Sequence, residues 1–139
     1  MTNKTDSRGR KTVLIVDDQA LMRRTLHDFL QDAFPDRNFL EAADGASALE
    51  DCKACRPVLV LMDKCLPDAD GIELTARLKS RYPGIQVIVI SYWSGEIYVV
   101  RALAAGARAY LVKDNLATEL IPAVAAALDI PRIPPGPHR

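Results

Sequence analysis

Residues 13–22 read "VLIVDDQALM". Four branched apolar residues run straight into two aspartates, Asp17 and Asp18, and a helical pattern follows at once. An unbroken apolar run is how a strand reads when both faces of its sheet are covered. Two like charges at its end repel, and each raises the pKa of the other. The pair is therefore either solvated or kept for a cation. What stands at the ends of the other strands decides between these.

The same alternation repeats along the chain. "TVLIV" (12–16) is the first strand, and "ALMRRTLHDFLQDAF" (20–34) is a helix with Met22, Leu26, Phe29 and Ala33 expected on one face. "NFLEA" (38–42) reads as a short edge strand, "DGASALEDCKA" (44–54) as a short helix, and "PVLVLM" (57–62) as a strand ending at Asp63. A turn-rich loop, "DKCLPDADG" (63–71), leads to the helix "IELTARLKSRY" (72–82), which Pro83-Gly84 stops. "IQVIVI" (85–90) is a strand ending at Ser91, and "SGEIYVVRALAAG" (94–106) is a helix with Gly106 as its C-terminal cap. "AYLV" (109–112) is a strand ending at Lys113. "TELIPAVAAALDI" (118–130) is the last helix, expected to start at a Thr118 cap because Pro122 suits a first turn. Five strands alternating with five helices imply an α/β fold with one parallel sheet, because parallel strands need crossovers. Right-handed crossovers then make a doubly wound, three-layer sandwich.

The totals agree with one globular domain. The chain has 139 residues, nearly half of them apolar, and its 18 basic residues balance 18 acidic ones. That balance gives no electrostatic support for direct nucleic-acid binding. No apolar run approaches the roughly 20 residues of a membrane span, and the N-terminus is not a secretory signal. The three cysteines, Cys52, Cys55 and Cys65, argue against a disulfide framework and for a reducing, cytoplasmic setting. "CKAC" (52–55) has metal-pair spacing, but it ends a helix and lacks a second pair, so it reads as small helix residues.

In a parallel sheet all C-terminal strand ends share one edge, and ligands bind there at a topological switch point. Asp17 and Asp18 follow the first strand, Asp63 the third, Ser91 the fourth and Lys113 the fifth. Three carboxylates, a hydroxyl and an ammonium should meet in one cleft. Lys113 offsets one negative charge; a hard cation such as Mg²⁺ offsets the rest and takes carboxylates, water and phosphate oxygens as ligands. A carboxylate in that setting is able to attack phosphorus and form an aspartyl phosphate. The bland alternative is that the acids cap helices, with Asp18 capping the first.

These residues resemble the receiver domain of bacterial two-component response regulators. The matching stretches are "VDD" (16–18), "MDKCLPDADG" (62–71), "ISY" (90–92) and "YLVKD" (110–114). "RALAAGARAYLVKD" and "ATELIPAVAAAL" are more similar to the NarL/FixJ-type branch than to the chemotaxis branch. The resemblance implies a CheY-like sheet in the order 2-1-3-4-5. It implies a receiver domain over 11–129, between an N-terminal tail (1–10) and a proline-rich tail or linker stump (130–139). Asp63 would be the phosphoacceptor. Mg²⁺ would be held by Asp18, Asp63 and the backbone carbonyl of Cys65, with Asp17 acting through a bound water. Lys113 would pair with the phosphoryl group, Ser91 would follow its oxygens, and Tyr110 would be the switch aromatic. Pro67 and Gly71 would shape the acceptor loop.

The implied partners are a histidine kinase or phosphotransfer protein and a downstream effector or output domain. No membrane is expected, nor any nucleic acid bound by this domain itself. A phosphorylation-dependent homodimer through the switch face is left open. The implied chemistry is confined to the chain's own phosphorylation and dephosphorylation, so the protein is not expected to be an enzyme in the ordinary sense.

Some residues depart from the commonest pattern. Tyr92 and Trp93 follow the switch hydroxyl, where small residues are usual; they read as crowding the mouth of the site or covering the nearby core. Lys64 reads as a solvated loop lysine, and Asp68 and Asp70 as parts of a solvated turn. Two other readings use the same residues. One is a receiver-like interaction module that works without phosphorylation. The other is the receiver portion of a LuxR/NarL-type DNA-binding regulator, although no helix-turn-helix is legible after residue 130. A hydrolase with an aspartate nucleophile would need an acid/base group close by, and position 65 is a cysteine.

Overall fold

The structure, a computed structural model, describes residues 11–129. The expected tails, 1–10 and 130–139, lie outside that range. The strands are β1 (Thr12–Val16), β2 (Asn38–Ala42), β3 (Leu59–Asp63), β4 (Gln86–Ser91) and β5 (Ala109–Val112). The helices are α1 (Ala20–Ala33), α2 (Gly45–Cys55), α3 (Gly71–Arg81), α4 (Glu96–Ala104) and α5 (Leu116–Ala127). All strands are parallel, in the order β2-β1-β3-β4-β5, with β2 at an edge as its polar composition suggests.

Successive residues of each strand feed opposite faces, as the pleat requires. Val13, Ile15, Leu59, Leu61, Ile88 and Ile90 pack on Leu26 and Leu30 of α1 and on Leu116, Leu120 and Val124 of α5. Leu14, Val16, Val60, Met62, Val87 and Val89 pack on the other side against α2, α3 and Ala102 of α4. Both faces are covered, which is why the strands carry no polar alternation. Cys52 and Cys55 are free thiols within α2, and burial pushes the Cys52 thiol up to about 12, so it packs as a small apolar residue.

Two helices differ from the sequence expectation. The buried row of α1 is Leu26 and Leu30, continued by Phe34 past its end; Phe29 is 43% exposed. Phe29 mimics the spacing of that row but lies one position off it. α5 does not begin at Thr118. A 3-10 turn over Lys113–Asn115 leads into it, and Leu116 is already buried. Docking Leu116 together with Leu120 on the sheet outweighs the proline preference. Pro122 and Thr118, whose carbonyl loses its donor to the proline, both lie on the exposed side of α5, which is where a helix best tolerates that loss. Gly106 takes a φ of +105° just past α4, as a C-terminal glycine should.

Candidate functional site

The register places the polar strand ends side by side. Val16 pairs with Met62, Asp63 with Ile90, and Ser91 with Val112. Asp17, Asp63, Ser91 and Lys113 therefore line one edge, and all four are buried. The Lys113 ammonium lies 3.1 Å from Asp17 Oδ2 and 3.4 Å from Asp63 Oδ2. Oxygens of Asp17, Asp18 and Asp63 all lie within 4.8 Å of one another. A cavity of about 220 Å³ opens on them, lined by Asp18, Gln19, Asp63, Cys65, Ser91, Tyr92, Trp93 and Lys113.

Asp18 is not a helix cap. The N-cap of α1 is Gln19, without a side-chain cap bond, and the Gln19 N–H goes to Asp17 Oδ1 at 2.8 Å. Asp18 is exposed at the cavity instead. Arg23 secures the end of β1: its guanidinium donates to the Asp17 carbonyl at 2.7 Å and to Glu41 at 3.0 Å. Sequence reasoning missed Arg23. Its one local signal is a cation in the turn of helix that follows the acidic pair.

Burial and the neighbouring Asp17 carboxylate push the Asp63 carboxyl up to about 6, against the pull of Lys113 and the Cys65 N–H. Burial alone would lower the Lys113 ammonium, but Asp63 and Asp17 more than reverse this and raise it. The cluster thus holds more negative charge than one lysine neutralises. Three converging oxygens with one exposed member suit a small hard divalent cation.

The β3–α3 loop is pinned at both ends. Lys64 donates its N–H to Ile90 O at 2.8 Å and accepts from Gly71 N–H at 2.6 Å. A Cβ on Gly71 would sit 2.1 Å from the Asp63 carbonyl oxygen, so the start of α3 closes on the loop only with glycine there. Asp68 and Asp70 are not idle turn residues. Asp68 accepts from the Gly45 and Ala46 N–H groups at 2.8 and 3.0 Å, which hold its carboxyl below the ordinary range. Asp70 caps α3 through Ile72 N–H; burial raises its carboxyl, but that bond and Lys64 outweigh it and lower it.

Lys64 also departs from expectation. It is 8% exposed, ion-paired to Asp70 at 3.2 Å, with its ammonium 5.3 Å from the Trp93 ring and 5.4 Å from the Tyr98 ring. Tyr92 and Trp93 do not cover the core. Both are about half exposed at the mouth, with the Tyr92 ring 4.7 Å from the Lys113 ammonium. Ser91 Oγ accepts from Trp93 N–H at 3.0 Å, and the half-buried Tyr110 donates its hydroxyl to the Trp93 carbonyl.

A five-stranded parallel sheet in this order, with carboxylates gathered at its switch point, defines the class of CheY-like α/β signalling domains. The family model described as "Response regulator receiver domain" matches residues 13–125. The chain belongs to that family, with relatives of the NarL/FixJ type, and is a receiver domain of a two-component system. It is 37% identical over 113 residues to the DNA-binding transcriptional activator DevR/DosR of Mycobacterium tuberculosis, covering 81% of this chain and 52% of that one. Among solved structures it is similar to the signal receiver domain of the putative response regulator NarL from the same organism, with 33% identity and a TM-score of 0.77 over 86% of this chain and 97% of that one. It is also similar to the CheX-CheY-BeF3-Mg²⁺ complex of Borrelia burgdorferi, with 25% identity and a TM-score of 0.78 over 91% of this chain and 96% of that one. The chain spans about half the length of the curated relatives it matches. No helix among the described residues is long and apolar enough to cross a membrane.

Proposed function

We propose that Asp63 accepts a phosphoryl group from a histidine kinase or phosphotransfer protein, and that Asp17, Asp18, Asp63 and the Cys65 carbonyl hold the Mg²⁺ this requires. The observation that carries the reading is the convergence of three carboxylate oxygens within 4.8 Å, with the Lys113 ammonium beside two of them. When bound, Mg²⁺ neutralises charge on the transferring group. In the transfer, an Asp63 oxygen forms a bond to phosphorus as the donor's phosphorus–nitrogen bond breaks, and the electron pair leaves with the imidazole. Lys113 is placed to shift from Asp63 to the new phosphoryl oxygens, stabilising charge where it develops. Ser91 and Tyr110 read the product, because both bond to Trp93 at the mouth of the site. The chemistry is confined to the chain itself, which promotes its own phosphorylation and its own return.

The modification adds nearly two negative charges and three strong acceptors. Reversing a 1:99 population takes about 5.5 kcal/mol of differential interaction, and a few charge-assisted hydrogen bonds supply that much. The signal would leave through the α4–β5–α5 face to an effector or output domain. The exposed row Ile97, Val100 and Leu103 on α4 supports a protein contact there, either an effector or a second phosphorylated copy. A cytoplasmic setting agrees with the free thiols.

Incubation with acetyl phosphate and Mg²⁺ tests the assignment. The parent should gain one phosphoryl group and Asp63→Asn none; light scattering on the same samples checks whether labelling pairs the chains. Undiminished labelling of Asp63→Asn removes that residue from its role.

A further inference from the structure

We propose that Lys64 is a positioning residue whose ammonium, held by Asp70 against the Trp93 and Tyr98 rings, anchors the β4–α4 loop in its resting place and so sets how hard phosphorylation must push to move it. The proposal rests on the reading of Asp63 as phosphoacceptor. A buried ammonium needs full compensation. Lys64 obtains it from one carboxylate at 3.2 Å and two aromatic faces at 5.3 and 5.4 Å. Its main chain is fixed on β4 and α3, and Asp70 is fixed at the α3 cap, so one side of the contact is rigid.

The other side is not held by a ladder. Residues 92–95 carry no helix or strand, and Gly95 takes a φ of +139° before α4 begins. Four side-chain contacts hold Trp93: its N–H on Ser91 Oγ, its carbonyl under the Tyr110 hydroxyl, and its ring on Lys64 and edge-on to Tyr98. Two of these involve the residues assigned to the switch, and they change when the switch operates. The two ring contacts do not involve them, and of these Lys64 is the one fixed to the rigid side. It also reaches Tyr98 in the first turn of α4, whose ring stands edge-on to Trp93 at 5.5 Å. Releasing it should free the loop and the start of α4 together.

Trp93 is the single tryptophan, so its emission reports on the loop without labels. The full chain is compared with Lys64→Met, Lys64→Arg and Tyr98→Leu. Without any phosphoryl mimic, acrylamide should quench Trp93 about twice as strongly in Lys64→Met as in the parent. Titrated with beryllofluoride at fixed Mg²⁺, Lys64→Met should respond at a concentration roughly 3- to 10-fold lower, the span expected for a partly desolvated cation–ring contact. Lys64→Arg, which keeps the charge and the stacking, should behave as the parent. Tyr98→Leu, which leaves the ion pair with Asp70 intact, should shift both readouts the same way but less, and covers the case in which Lys64→Met folds poorly. Parent-like quenching and midpoints in Lys64→Met and Tyr98→Leu overturn the proposal, as does a raised beryllofluoride requirement. A parent that ignores beryllofluoride with Mg²⁺ overturns the phosphoacceptor reading instead, and the quenching comparison still decides the anchor.

Discussion

The Asp63 carboxyl, raised to about 6, makes stability depend on pH in a way an exposed aspartate would not. Between roughly pH 4 and 6 the folded chain keeps a proton that the unfolded chain has lost, so stability falls as pH rises through that window. In Mg²⁺-free buffer, urea unfolding should therefore show the parent less stable at pH 7 than at pH 5 by on the order of 1–2 kcal/mol. Asp63→Asn should make the profile shallower, leaving the contribution of Asp51, whose carboxyl burial and Glu50 also raise. Asp68 and Asp70 act in the opposite sense, but their stabilisation is lost as pH falls from the ordinary aspartate value through their depressed ones, below this window. An equal slope in parent and Asp63→Asn would contradict the account. At this scale, Asp17, Asp18, Asp63, Ser91 and Lys113 were legible because each ends or follows a strand. Lys64 was not, because the Trp93 and Tyr98 rings that bury it lie some 30 residues along the chain, and nothing local announces them.

Elements carry the site's precision. The start of α3 presses on the β3–α3 loop so closely that a Cβ at Gly71 would meet the Asp63 carbonyl at 2.1 Å. Gly71→Ala should lower stability by about 2–4 kcal/mol in urea unfolding and slow labelling, because relief moves the acceptor itself. Parent-like stability and labelling would show that the loop yields freely. Ser91 ends β4 and accepts from Trp93 N–H in the loop before α4, where the proposed switch would act. Ser91→Ala should leave labelling largely intact but reduce the backbone amide shifts of α4 and β5 on phosphorylation; full-sized shifts would remove Ser91 from the switch. Strand order followed from the resemblance; apolar runs found β1, β3, β4 and β5 to within two residues, and β2 was legible as a short, more polar edge strand. The helix faces were harder. Phe29 copies the spacing of the Leu26–Leu30 row, and the 3-10 turn before α5 lets Leu116 dock despite Pro122.

Over the whole molecule, one covered sheet supports one loaded edge. The two cores on opposite faces hold the strands rigid, and the acids gathered at their ends leave a surplus of negative charge that a divalent cation would offset. The residues that carry the proposed chemistry all lie within 11–129, in a chain that spans about half the length of the curated relatives it matches. The most direct test is to locate the phosphoryl group. The chain is labelled with acetyl phosphate, reduced with borohydride, which converts an aspartyl phosphate to homoserine, and mapped by peptide mass. The account predicts homoserine at position 63 alone, formed with Mg²⁺ and lost when Mg²⁺ is chelated. Reduction at Asp17 or Asp18, or labelling indifferent to Mg²⁺, would contradict it.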